Sequence, residues 1–236
     1  MKLIIGNLKM NLNSNEIVSY INFFKDKNYS NVFFAPTSIY LSKFVDNGLN
    51  TVSQDVSSFK NGAYTGDISS YQLKSIGVNY SLVGHSERRN YYQDSMFVNE
   101  KIKRLLEQEI IPILCIGESK VERDSKHYLE KLEKEIDTAF KDILKTKLNS
   151  LIIAYEPIWS IGTGIIPSNE EIVEVVNFIK SYVLKNYEFN VKVLYGGSVN
   201  CENINNLNSI INLYCYLVGG CSLKKDSFNE LIESIK

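Results

Sequence analysis

Three polar residues that could carry acid–base chemistry each stand just behind a short apolar run of the sequence. They are Lys9, His85 and Glu156. A lysine supplies a fixed positive charge, a histidine a hydrogen-bond donor and a glutamate a base. Taken singly, each has an ordinary structural explanation as a solvated charge, a hydrogen-bonded imidazole or a salt-bridge partner. Together, at three strand ends, they predict a carboxylate base working beside a neutral or cationic electrophile.

Three glycine-rich turns accompany these residues in the second half of the chain. They are Gly162-Thr163-Gly164, Gly196-Gly197-Ser198 and Gly219-Gly220-Cys221-Ser222. Any one of them could be an ordinary turn. Glycine also lets backbone N–H groups approach an anion closely, and such turns form concave anion-binding nests. Three of them predict a small phosphorylated substrate.

The apolar runs before these polar residues are typical of strands that are buried on both faces. Most are continuous rather than alternating, as in a parallel sheet. Eight strands are predicted, at Leu3–Gly6, Val32–Ala35, Thr51–Gln54, Tyr80–Gly84, Ile110–Ile116, Leu151–Tyr155, Val191–Tyr195 and Tyr214–Val218.

Amphipathic helical patterns alternate with the strands and present one apolar face each. The clearest of them cover Asn15–Lys27, Asp94–Gln108, Glu118–Leu144, Glu170–Leu184 and Asp226–Ile235. Ser14 and Ser168, each followed by glutamate, are expected to cap two of these helices at the N-terminus.

Alternation of strand and helix along the chain, with Leu49–Ser70 as the exception, predicts the α/β class, with residues 1–236 forming a single domain. We expect a closed (β/α)8 barrel, whose chemistry gathers at the carboxyl ends of the strands. A doubly wound open sheet is the alternative, although no Gly-x-Gly-x-x-Gly turn follows the first strand. The stretch Leu49–Ser70 combines a short strand with a long polar loop, and loops of that length usually serve a function.

The composition narrows the range of partners. With 26 basic and 27 acidic residues the net charge is −1, which argues against nucleic acid or an anionic membrane as a partner. No apolar run approaches the roughly 20 residues of a membrane-spanning helix. Four cysteines without a Cys-x-x-Cys pair predict free thiols and a cytoplasmic location, and two histidines argue against a zinc site.

The motifs resemble those of the triosephosphate isomerase family over essentially the whole chain. Seven segments carry the resemblance in order: Gly6–Asn11, Gly62–Asp67, Gly84–Arg89, Cys115–Glu118, Ala154–Gly164, Tyr195–Val199 and Leu217–Leu223. The resemblance implies a TIM barrel that interconverts dihydroxyacetone phosphate and D-glyceraldehyde 3-phosphate in glycolysis and gluconeogenesis, without metal or cofactor.

The resemblance also implies roles for individual residues. The catalytic set would be Glu156 as base, His85 as neutral donor, Lys9, Asn7 and Glu87. The phosphate would be held by backbone N–H groups of Gly162, Ser198, Gly219 and Gly220. A lid that excludes water would comprise Pro157, Ile158, Trp159, Ser160, Ile161, Thr163 and Gly164. A homodimer would place Thr65 against the partner's site.

Several positions depart from the family pattern. Asp67 and Asp94 stand where glutamate is usual, near the expected dimer interface, and Ile165-Ile166-Pro167 is an unusual second hinge. Cys221 replaces a small alanine beside a phosphate turn. If its sulfur faces the site, we expect the thiolate to be favoured; a buried, inert side chain is the alternative.

Two other functions remain open from the residues alone. A different phosphate-binding barrel enzyme would share the glycine turns but would not need this lysine, histidine and glutamate. A catalytically inactive phosphate-ligand-binding barrel would be expected to have lost one of those three, and none is lost.

Overall fold

Eight short strands lie parallel and side by side in the computed structural model, which describes residues 2–161, 165–210 and 212–235. They are β1 Leu3–Asn7, β2 Val32–Ala35, β3 Val52–Ser53, β4 Tyr80–Val83, β5 Ile111–Ile116, β6 Ile152–Tyr155, β7 Lys192–Tyr195 and β8 Cys215–Val218. All eight overlap the predicted runs, and β3 is the most shortened.

The sheet closes into a barrel. The strand order is β2-β1-β8-β7-β6-β5-β4-β3, so the first strand pairs with both the second and the last. A parallel bridge from Phe34 in β2 to Thr51, just before β3, joins the two ends. The (β/α)8 prediction is confirmed, because this closure leaves no open doubly wound sheet.

Helices cover the outside of the barrel. They are α1 Ser14–Phe24, α2 Leu41–Asp46, α3 Ser70–Ser75, α4 Ser86–Tyr92, α5 Val98–Glu107, α6 Lys120–Asp124, α7 Tyr128–Phe140, α8 Lys145–Leu148, α9 Asn169–Tyr187, α10 Ile204–Asn208 and α11 Lys225–Glu233. Within the described ranges, no helix is long and apolar enough to cross a membrane.

Local backbone geometry corrects two of the predicted helices. The single helix predicted over Glu118–Leu144 is wrong, because Lys126 adopts a left-handed φ of 61° that ends α6 before α7 begins. The first cap is Asn13 rather than Ser14, and it forms a capping box with Glu16. The predicted Ser168 cap is confirmed, with its own capping box to Glu171.

Two apolar layers hold the barrel together. The interior is filled by strand side chains such as Ile5, Leu82, Ile113, Leu194 and Leu217. The larger layer lies between the sheet and the helices. Because side chains pack the interior, the free space for chemistry lies at the rim, where the loops leave the strands.

Candidate active site

The carboxyl ends of β1, β4 and β6 bring the three predicted chemical residues to one rim of the barrel. Lys9 follows β1, His85 caps α4 just beyond β4, and Glu156 directly follows β6. Parallel strands expose their carboxyl ends on the same side, so residues far apart in sequence share one mouth.

Glu156 and His85 form the buried centre of the site. Glu156 Oε1 lies 3.2 Å from His85 Nε2, and the side chains are only 2% and 8% exposed. The other oxygen, Oε2, accepts the backbone N–H of Ser86 at 3.2 Å. The carboxylate is therefore held by two directional contacts, with little water around it.

The backbone of α4 determines which nitrogen of His85 carries the proton. The N–H of Glu87 donates to His85 Nδ1 at 3.3 Å, so Nδ1 is an acceptor. A neutral imidazole that accepts at one nitrogen carries its hydrogen on the other. The Nε2–H group therefore points to Glu156, where it can donate to a substrate oxygen.

Lys9 and Glu87 form an ion pair at the mouth of the site. Lys9 Nζ lies 2.7 Å from Glu87 Oε1, and the two side chains are 26% and 44% exposed. Such a pair, open to water, contributes little to stability. The ion pair does hold the Lys9 ammonium group in place. Glu87 also orients His85, through its backbone N–H.

The backbone of Lys9 adopts a left-handed conformation, with φ at 50°. For a residue other than glycine this conformation costs about 1–3 kcal/mol, and it persists only where neighbours impose it. Asn7 Oδ1 accepts the Lys9 N–H at 3.0 Å, and Gln54 Nε2 donates to the Lys9 carbonyl at 2.9 Å. Gln54 also donates to Ala35 O at 2.8 Å, so it ties Lys9 to β2.

Three glycines leave room for the site residues. A Cβ at Gly117 would lie 1.7 Å from the carbonyl oxygen of Glu156, and one at Gly196 would lie 3.0 Å from Glu156 Cγ. A Cβ at Gly219 would lie 3.4 Å from Lys9 Cε. The first distance excludes any side chain, and the second would force the carboxylate to shift.

The turns after β7 and β8 present free donors to the same mouth. Among the described residues, the backbone N–H groups of Ser198, Gly219 and Gly220 find no protein acceptor. The Ser198 side chain donates to Ser160 O at 2.7 Å, which links this turn to the segment after β6. Gly162, the fourth predicted phosphate contact, lies outside the described residues.

The first part of the predicted lid is anchored to a buried carboxylate. Ile158–Ser160 form a single 3-10 turn after Pro157, and Ile161 follows it. Trp159 Nε1 donates to Glu118 Oε1 at 2.8 Å, and Tyr155 OH donates to the same oxygen at 3.0 Å. Burial raises the pKa of Glu118, although both hydrogen bonds oppose that shift.

The second part of the predicted lid is described only in part. Thr163 and Gly164 lie outside the described residues. Beyond them, Ile165 and Ile166 are exposed and Pro167 is buried, immediately before the Ser168 cap of α9.

Thr65 lies in the loop after β3, where residues 59–67 are exposed. The rings of Phe59 and Tyr64 stack with centroids 4.2 Å apart, and Ser57 Oγ donates to Asp67 Oδ2 at 2.5 Å. The loop is thus ordered by its own contacts. Within the described ranges, no hydrogen bond joins Thr65 to the site residues of its own chain.

The two shortened carboxylates both find partners. Asp67 accepts from Ser57 as above, and Asp94 Oδ1 lies 2.5 Å from Lys101 Nζ in a buried cluster. Lys101 also contacts Asp55 Oδ1 at 2.8 Å.

The structure does not favour a thiolate at Cys221. Its Sγ lies against Cys201 Sγ rather than against the lysine, and burial and that neighbouring thiol raise the pKa of Cys221 to about 12. The four cysteines are free thiols.

Two supporting residues are not predicted from the sequence. Gln54 is the last residue of a predicted strand, and only its position directly after β3 indicates a role at the rim. Ser86 acts through its backbone N–H, which no side-chain pattern reveals.

Comparison with known proteins assigns this sequence to a family. Residues 2–235 match the model of a family described as triosephosphate isomerase. The chain belongs to the triosephosphate isomerase family. The triosephosphate isomerase of Francisella philomiragia is 36% identical across 98% of this chain and 96% of its own length. That of Francisella tularensis is 37% identical over the same shares, and that of Alkaliphilus oremlandii is 35% identical over 98% of each chain.

Membership of the family agrees with the site. The chain is an isomerase, and its reaction is the interconversion of dihydroxyacetone phosphate and D-glyceraldehyde 3-phosphate, a step of glycolysis. None of the comparisons supports the catalytically inactive alternative. The glycine turns, the lysine, the histidine and the glutamate all lie within the matched residues.

Proposed function

We propose that Glu156 is the base that moves a proton between the two adjacent carbons of the triose phosphate. The contact that supports this most directly is the 3.2 Å separation of Glu156 Oε1 from His85 Nε2, because it places base and donor side by side. Glu156 removes a proton from the carbon beside the carbonyl, an enediolate forms, and the proton returns to the neighbouring carbon. To reach the substrate, the carboxylate must leave the Ser86 N–H.

The remaining catalytic residues stabilise the enediolate. His85 donates its Nε2–H to the oxygen that gains charge, and Lys9 supplies a positive charge beside it. Asn7 holds the Lys9 backbone through Oδ1 and offers its amide group to substrate oxygens. Glu87 positions two of these residues: its carboxylate pairs with Lys9, and its backbone N–H donates to His85. No cofactor is required, because the substrate carbonyl itself acidifies the proton.

The phosphate group binds at the glycine turns. The N–H groups of Ser198, Gly219 and Gly220 point their partial positive charges at the dianion, and Gly162 completes the set. Closure of the lid from Pro157 to Gly164 excludes water, which strengthens these interactions and protects the intermediate.

The active form is a homodimer in the cytoplasm. Large apolar side chains are exposed in the loops that follow the first four strands, among them Met10 at 90%, Ile39 at 77% and Met96 at 71%. Exposed apolar surface gathered on one side is typical of an interface. The ordered loop with Phe59, Tyr64 and Thr65 lies on the same side, and Thr65 contacts Asn7 of the partner subunit. The four free thiols suit a reducing compartment.

The variant Glu156→Asp tests the assignment of the base. The carboxylate retreats by one methylene, and misplacement on that scale costs about 10²-fold in rate. Turnover of glyceraldehyde 3-phosphate in a coupled assay should fall accordingly, while the circular dichroism spectrum stays unchanged. Glu130→Asp, on the exposed face of α7, is the matched control and should retain full activity. Wild-type kcat in Glu156→Asp would show that another group is the base.

A further inference from the structure

Two cysteines lie against each other where the turns after β7 and β8 meet. The Sγ atoms of Cys201 and Cys221 are 3.8 Å apart, although 20 residues separate them in sequence. Both sulfurs approach the same carbonyl oxygen, that of Ser227, at 3.3 and 3.6 Å. A shared acceptor holds the two thiols side by side on neighbouring turns, and both side chains are partly exposed.

The separation is short enough for a bond after a small movement. A disulfide has an S–S distance of about 2.05 Å, so the sulfurs need to approach by roughly 1.8 Å. The other cysteines, Cys115 and Cys215, are buried in the barrel interior and are therefore shielded from a reagent in solution. We propose that Cys201 and Cys221 form a thiol-modification site that closes reversibly to a disulfide and thereby joins the two turns.

The oxidant is a small-molecule disulfide such as glutathione disulfide. The Cys201 thiolate attacks one sulfur of it, giving a mixed disulfide and one glutathione thiolate. The Cys221 thiolate then attacks the Cys201 sulfur and releases the second glutathione. Two cysteine thiols lose two electrons and two protons, and one glutathione disulfide becomes two glutathione thiols.

The surroundings of Cys221 oppose its ionisation. Burial, and to a smaller extent the adjacent Cys201 thiol, raise the pKa of Cys221. Conversion of Cys201 to the mixed disulfide removes the second of these effects, whereas burial remains.

Closure of the bridge is expected to weaken phosphate binding, and this consequence rests on the proposed function. Ser198 precedes Cys201 by three residues, and Asn203 Nδ2 ties the Ser198 carbonyl into the same turn at 2.6 Å. Gly220 directly precedes Cys221. Drawing the sulfurs together therefore displaces N–H groups from both turns. Weakening one charge-assisted hydrogen bond to phosphate predicts an increase in KM of about tenfold, with a smaller change in kcat.

The experiment oxidises the purified enzyme with glutathione disulfide, maps its peptides without reduction, and measures KM and kcat before and after dithiothreitol. A linked Cys201–Cys221 peptide that has lost two hydrogens, with a KM increase that dithiothreitol reverses, supports the proposal. Cys221→Ala and Cys201→Ser should form no bridge. Each should keep its KM through the same treatment, and the peptide map records any glutathione adduct on the remaining thiol. Glutathione retained on Cys201 without a linked peptide would overturn the disulfide.

A mapped bridge with an unchanged KM would overturn the link to phosphate binding. The proposed function is tested separately with Glu156→Asp in fully reduced enzyme. Failure of the base assignment would leave the peptide map as it is, so the two failures are distinguishable.

Discussion

Removal of the Gln54 amide should lower catalysis as well as stability, because Gln54 holds the strained backbone of Lys9. Gln54 donates two hydrogen bonds, to Lys9 O at 2.9 Å and to Ala35 O at 2.8 Å. The carbonyl oxygen of Ala35 still accepts the N–H of Leu8 at 3.0 Å when Gln54 is removed. The carbonyl of Lys9 is therefore affected more by the loss of the Gln54 hydrogen bonds. At about 0.5–1.5 kcal/mol for each hydrogen bond, Gln54→Ala should cost about 1–3 kcal/mol of folding free energy.

The catalytic effect follows from the strain at Lys9. Its left-handed backbone costs about 1–3 kcal/mol, which is similar to the bond that Gln54 supplies. Without that hydrogen bond, the Lys9 backbone can relax to a conformation that misplaces the ammonium group. This relaxed conformation then competes with the left-handed, active one. Each 1.4 kcal/mol of lost preference lowers the competent fraction by up to about tenfold, so loss of one bond of about 0.5–1.5 kcal/mol should lower kcat/KM by about 2- to 10-fold.

Gln72→Ala provides the matched control for this measurement. Gln72 accepts the Ser69 N–H at 2.9 Å in the capping box of α3, so its loss costs about 1 kcal/mol without touching Lys9. Urea unfolding and steady-state kinetics are measured on both variants. Similar losses of stability in the two variants, with the wild-type kcat/KM in both, would show that Gln54 does not hold Lys9 in its active conformation.

Three further predictions address charge and assembly. Lys9→Ala should lower kcat/KM steeply while thermal stability barely changes, because its ion pair is partly exposed; equal losses in activity and stability would favour a structural role. Because the pKa of Glu118 is raised in the folded state, this residue contributes to stability at low pH. That contribution is lost as the pH rises through its pKa. Urea unfolding between about pH 4 and about pH 7 should therefore show wild type losing stability relative to Glu118→Gln, and parallel curves would contradict this. Met10→Asp should halve the mass seen by sedimentation from twice 26.9 kDa and reduce activity; an active wild-type monomer would contradict the dimer.

The strands, and the gathering of Lys9, His85 and Glu156 at one rim of the barrel, could be predicted because their signals are local. A buried parallel strand is a continuous apolar run, and a polar residue directly after it marks the rim. Glu156 directly follows β6, and His85 follows β4 after a single glycine. The barrel then brings distant strand ends together without any further information from the sequence.

The features that were missed depend on long-range contacts or on the backbone. Lys126 adopts a left-handed φ although no glycine or proline announces a break, so α6 and α7 read as one amphipathic pattern. The ionisation of Cys221 depends on its burial and on Cys201, which the sequence places 20 residues away. The role of Gln54 depends on a backbone angle at Lys9 that composition does not encode.

The pairing of β1 with β8 has a consequence for synthesis of the chain on the ribosome. β1 is made before the other seven strands, yet one of its two edges pairs only with the last of them, Cys215–Val218. At about 5–20 residues per second, that edge waits roughly 10–40 s for its partner. During this interval the nascent chain carries an unpaired strand of Leu3, Ile4 and Ile5, the kind of edge that recruits other strands. Closure of the barrel therefore waits until the last strand has been made, however early the other strands pair.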